Sequence, residues 1–163
     1  MSKSLPSEIS SVQQRAYVTY HFPDCRTLPA PSVTLLESRS VISAAGTTGL
    51  RTWEASLHLA SFLMSSAGTE YIRRNRVLEI GAGTGLISIL CTKHLSARHV
   101  LATDGSQDVV DALPDNLFVN GLQSNPDIEC QMLRWGRYLE QDENGKEKAF
   151  DILLGADVVS TVV

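Results

Sequence analysis

Residues 76–90 read RVLEIGAGTGLISIL: a short apolar run carrying one acid, then alternating glycines, then a second apolar run with helical spacing. That order is a strand, a tight turn and a helix. Gly81, Gly83 and Gly85 lack a Cβ, so the backbone can take positive φ and a ligand can approach the main chain at the helix N-terminus. A dinucleotide fingerprint, G-x-G-x-x-G, needs its third glycine one residue after Gly85, where Leu86 stands, which weakens a pyrophosphate reading. Taken alone, the loop fits a nucleoside cofactor or a plain glycine-rich turn. Glu79 lies two residues before the first of these glycines.

The chain of 163 residues is one domain's worth, and 43% hydrophobic residues are enough for a packed core. A net charge of -4 and scattered basic residues, apart from Arg73, Arg74 and Arg76, give no nucleic-acid footprint. Cys25, Cys91 and Cys130 lie far apart with no C-x-x-C and no histidine at metal spacing, which fits a reducing compartment and no metal. Neither a signal peptide nor a membrane span is evident, so a cytoplasmic protein without a membrane partner is expected.

Residues 11–22 read as a short helix running into a strand, without a decision between them. Pro23, Pro29 and Pro31 exclude regular structure, and residues 32–38 and 40–43 suit short strands or a hairpin. The spacing then predicts an amphipathic helix after Thr52, with Thr52 as N-cap, Glu54 in the first turn and Gly68 as its stop. Trp53 at its start suits a core anchor or a ligand contact.

Beyond the glycine loop, residues 99–104 (HVLATD) read as a second parallel strand reached by a right-handed crossover. Asp104 at its end could accept hydrogen bonds from ribose hydroxyls or cap the next helix. That helix, residues 107–120, contains Pro114, which should kink or split it, and Gly121 should stop it. Residues 128–133 form a third strand, followed by Trp135, which suits stacking on a base or a lid on the core. Residues 140–148 form a solvated charged loop. Residues 150–155 (FDILLG) read as a fourth strand buried on both faces, with Ala156 and Asp157 at its carboxyl end. Ligands of open α/β sheets bind outside such ends, so Gly81, Asp104, Trp135 and Ala156 can share one crevice.

The runs GTTGLRTWEAS (46–56), EIGAGTGL (79–86), LRWG (133–136) and GADVV (155–159) together resemble the seven-β-strand, class I S-adenosylmethionine-dependent protein-lysine methyltransferases. The resemblance covers residues 33–159, and within the family residues 35–56 are most similar to the elongation factor 2 lysine methyltransferases. It implies an α/β, Rossmann-like, doubly wound and mostly parallel sheet, with residues 1–45 as an N-terminal appendage and 46–163 as the S-adenosyl-L-methionine-binding domain. It further implies cofactor contacts from Trp53, Glu79, Gly81, Ala82, Gly83, Asp104, Trp135 and Ala156, with Asp157 orienting the substrate amine. A protein substrate, elongation factor 2, and a monomeric enzyme follow from the same resemblance.

The family's D-x-x-Y motif ends here in Ser160 instead of an aromatic, and the family's strand order is 3-2-1-4-5-7-6, of which this sequence supplies strands 1 to 4. An incomplete, C-terminally truncated fold with an open apolar edge at its fourth strand is therefore expected. Two rivals share these features: an NAD(P)-dependent oxidoreductase, which the early third glycine opposes, and a cofactor-binding module without activity.

Overall fold

The computed structural model describes residues 15–22, 30–38, 48–134, 136 and 149–158. Residues 11–14, the start of the undecided segment 11–22, Cys25, residues 40–43, Trp135 and the charged loop at 140–148 lie outside them. Strands β1 (Arg15–His21) and β2 (Ser32–Ser38) pair antiparallel, with Val18 opposite Leu35, so the ribbon joins β2 to the segment whose secondary structure the sequence left undecided. Alternate residues Val33, Leu35 and Glu37 of β2 are buried, which is the period-2 signature of a strand with one covered face.

Helix α1 (Glu54–Leu63) begins after Trp53, and α2 (Ser66–Ile72) follows with Ser65 accepting from the Gly68 amide as its N-cap. Two expectations fail here. Thr52 does not cap α1, because its hydroxyl is bonded to Glu37 and Thr84 instead. Gly68 does not stop the first helix but lies inside the second, where α2 turns so tightly against α1 that a Cβ would strike the Phe62 carbonyl.

The larger sheet holds β3 (Arg76–Ile80), β4 (His99–Asp104), β5 (Ile128–Met132) and β6 (Ile152–Gly155) in the order β5-β4-β3-β6, all parallel. Helix α3 (Leu86–Lys93) joins β3 to β4, and α4 (Gln107–Val119) joins β4 to β5, as the α/β reading requires. Pro114 does not split the run: α4 is one helix of 13 residues. The proline is exposed, so the carbonyl it leaves without an N–H partner can be hydrated. Gly121, with φ of +75°, ends it as expected.

Val77, Val100, Ile128, Ile152 and Leu154 face Leu86, Ile89 and Leu90 of α3 and Leu117 of α4 in one core, which also takes in Val33 and Leu35 of the ribbon. On the opposite sheet face Leu101 is fully buried while Leu153 is 64% exposed, so the described residues do not cover β6 on both sides. Leu153 sits on the outermost strand of the described sheet, where β3 is its neighbour on one side only.

Candidate functional site

The carboxyl ends of β3, β4 and β6 open into a cleft of about 710 Å³, within the usual range for small-molecule sites. Its walls include Thr48, Gly49, Arg51, Thr52, Trp53, Gly81, Ala82, Gly83, Asp104, Leu133, Arg134, Ala156 and Asp157. Trp53, Gly81, Ala82, Gly83, Asp104, Ala156 and Asp157 are thus brought together from segments far apart in sequence. Trp135, two residues past Leu133, lies outside the described residues. Arg51 and Arg134 also face the cleft and were not singled out, although Arg134 adjoins Trp135 and Arg51 lies two residues before Trp53, and Thr52, expected only as a helix cap, lines it too.

The glycine loop adopts the backbone its composition allows. Gly81 and Gly83 have φ of +64° and +55°, and Gly85, at +83°, caps α3 in the left-handed conformation. A Cβ on Gly83 would stand 3.2 Å from the Gly49 carbonyl, because the segment before α1 folds down over the loop. Backbone therefore lies bare against the cleft, as a cradle for a ligand requires.

Asp104 completes that cradle. Its Oδ2 accepts the Gly83 amide at 3.1 Å and its Oδ1 accepts the Ser106 amide at 3.0 Å, tying the end of β4 to the loop. Each carboxylate oxygen has a further lone pair, so the group can also receive hydroxyl donors from the cleft. Ser106 takes the N-cap position of α4 without a side-chain bond, and Asp104 stays turned toward the loop.

Glu79 is placed elsewhere. It is 2% exposed and is not part of the cleft wall; its Oε2 accepts the Ser88 amide at 2.9 Å and the Ser88 hydroxyl, beneath the loop at the start of α3. Its carboxylate satisfies an otherwise orphaned amide near a helix N-terminus and pins α3 to β3. The reason lies in strand alternation: Val77 and Glu79 point to the helix-covered face.

Trp53 is 38% exposed and donates its indole N–H to the Thr48 carbonyl at 3.2 Å, so it is a cleft wall and no core anchor. Asp157 is exposed at the rim with φ of +55°, a costly conformation for a residue with a Cβ. Cys91 is buried and Cys130 half-buried, and both are free thiols; burial pushes Cys130 up to about 11. No cluster of metal-ligating side chains occurs among the described residues, and no described helix is long and apolar enough to cross a membrane.

Comparison with known proteins adds the family. Residues 39–162 match the sequence pattern of a family described as lysine methyltransferase. The chain is 49% identical, over 99% of its length and 49% of the relative's, to protein-lysine N-methyltransferase EFM3 of Chaetomium thermophilum. It is 34% identical to EFM3 of Saccharomyces cerevisiae over 75% of its length, and 37% identical to the human protein-lysine N-methyltransferase EEF2KMT over 62%. It spans 49%, 38% and 30% of these three relatives. A glycine cradle with an acid at the end of the next parallel strand suits the S-adenosyl-L-methionine on which such enzymes depend. With the sheet order, the cleft and the match over residues 39–162 all in agreement, this chain belongs to the lysine methyltransferase family.

Proposed function

We propose that this chain binds S-adenosyl-L-methionine in the cleft for transfer of a methyl group to a lysine of a protein substrate, and that the substrate is elongation factor 2. The observation that carries the reading is Asp104, bonded to the Gly83 amide at the mouth of a parallel sheet with lone pairs still free to face the cleft. The finer choice of elongation factor 2 rests on the likeness of residues 35–56, and on the human and yeast relatives being protein-lysine methyltransferases. A cytoplasmic location belongs to the same proposal, supported by Cys91 and Cys130 being unpaired.

S-adenosylmethionine supplies a methyl group on a positively charged sulfur, open to attack by a neutral amine. In this reading Asp104 receives the ribose hydroxyls, Trp53 walls the base or the amino-acid portion, and Gly81 to Gly83 leave room for close approach. Asp157 at the rim would accept an N–H of the incoming lysine and hold it in line. A free lysine has a pKa near about 10.4, so the site must also let a proton leave before attack.

Calorimetric titration with S-adenosylhomocysteine tests the cofactor half: Asp104→Ala should weaken binding by on the order of 2 kcal/mol through lost charge-assisted bonds. Equal affinity in a folded variant would remove Asp104 from the site. Incubation with radiolabelled cofactor and elongation factor 2 tests the other half, with label expected on lysine and reduced at least about tenfold in Asp157→Asn. Cofactor binding without label on any protein would favour a non-catalytic module.

A further inference from the structure

Thr84, inside the glycine loop, is held at its hydroxyl and its carbonyl by bonds that lead back to β2. Its hydroxyl lies 2.7 Å from that of Thr52, whose own proton goes to Glu37 Oε1 at 2.6 Å. A hydroxyl has one proton to give, so Thr84 is the donor to Thr52 and the relay runs Thr84 to Thr52 to Glu37. On the other side, the Thr84 carbonyl accepts from Asn116 Nδ2 at 2.9 Å, and Asn116 Oδ1 accepts the Leu36 amide of β2 at 2.7 Å. Glu37 Oε1 also accepts the Tyr20 hydroxyl of β1 at 3.0 Å.

Three of these residues are buried, Glu37 at 6% exposed, Thr84 at 5% and Asn116 at 3%, while Thr52 and Tyr20 are half-buried. Removing one partner would leave the others buried and unpaired, so the bonds fix geometry more strongly than surface contacts of the same length. What they fix is the cleft. Thr52 and Thr84 both line it, Trp53 follows Thr52 directly, and the Gly49 carbonyl rests over Gly83. Glu37 itself lies behind these residues and forms no part of the wall.

We propose that Glu37 is a positioning residue for the cofactor cleft, holding the segment 48–53 against the glycine loop through Thr52 and Thr84 so that the site is formed before a ligand arrives. The N-terminal ribbon is then part of the binding machinery. The proposal rests on the cleft being the cofactor site, but the positioning itself can be read without ligand.

Three variants of the 163-residue chain separate this role from simple stability. Glu37→Ala removes the acceptor, Glu37→Gln keeps an oxygen in its place, and Leu35→Ala removes a fully buried apolar group from the same face of β2. Affinity for S-adenosylhomocysteine and amide exchange at Gly83, Thr84 and Gly85 are measured below the unfolding midpoint of every variant. Glu37→Ala should weaken binding about tenfold and speed exchange at the loop, while Glu37→Gln stays within about twofold. Leu35→Ala should lower the midpoint with affinity unchanged. Equal binding by Glu37→Ala and the unaltered chain overturns the proposal, as does an equal loss in Leu35→Ala. If Glu37→Ala does not fold, Thr52→Val breaks the relay from the other end under the same expectations. An unaltered chain that binds no S-adenosylhomocysteine overturns the cofactor reading instead, and loop exchange in Glu37→Ala then decides the positioning role alone.

Discussion

Glu79 carries a carboxyl group into the interior beneath the loop, with Ser88 as its hydrogen-bond partner. Burial pushes it up from the usual 4.5 to about 7; the nearby Asp104 charge acts in the same direction, and the two bonds from Ser88 act against both. Between those two values the folded chain holds a proton that the unfolded chain has released. The resulting stabilisation is complete below about 4.5 and is lost as pH rises through about 7, amounting to on the order of 3 kcal/mol. Urea unfolding should therefore give a higher midpoint at pH 6 than at pH 8, and Glu79→Gln should remove that difference. A pH dependence unchanged in the variant would mean that some other group is responsible. The resemblance to the methyltransferase family presented Glu79 as a cofactor contact; only alternation along β3, combined with knowing which face the helices cover, sends it inward.

Among the elements, those set by their own residues were legible in the sequence. The glycine loop, the parallel strands β3 to β6 and the helices between them follow from local pattern: positive φ at Gly81, Gly83 and Gly85, β-branched apolar runs, and acids at strand ends. Thr52 was misread because its partners, Glu37 and Thr84, lie 15 and 32 positions away, which no local rule sees. The pairing of β1 with β2 was hidden for a similar reason, and the exposure of Leu153 depends on its place at the sheet's outer strand. Gly68 was misread because glycine after an apolar helix usually ends it, whereas here it permits a close crossing. In an open helix Gly68→Ala would be favourable by about 1 kcal/mol. Here the new Cβ would meet the Phe62 carbonyl and approach Leu63 Cα to 2.5 Å, both backbone that cannot rotate away. The variant should lose about 1 to 3 kcal/mol instead, read from urea unfolding, and a stabilised Gly68→Ala would show that α1 and α2 do not cross as described.

For the whole molecule, the question is whether the ribbon hangs from the sheet as an appendage or folds with it. Phe22, Val33 and Leu35 belong to the same buried cluster as Ile89, Leu90, Val100 and Leu117, so among the described residues no separate core exists for a unit of two strands to keep if it came away. The ribbon is also bonded at its outer edge: Asn116 of α4 and Asn120 at its C-cap accept the Leu36 and Thr34 amides at 2.7 and 3.1 Å, and Asn120 returns a donor to the Thr34 carbonyl at 2.6 Å. Those side chains stand in for a neighbouring strand, which removes the exposed edge that β2 would otherwise offer. Separating the ribbon would therefore bare apolar surface on both sides and strip partners from two buried asparagines. Loss of the ribbon and loss of the sheet should be one event. Hydrogen exchange should then give the slowest amides of β2 and of β4 the same opening free energy, and Leu35→Ala should lower both together by about 2 to 5 kcal/mol. Should the β2 amides open at lower cost while those of β4 keep theirs, the ribbon is peripheral, and its hold on the glycine loop through Glu37 is too weak to shape the cleft.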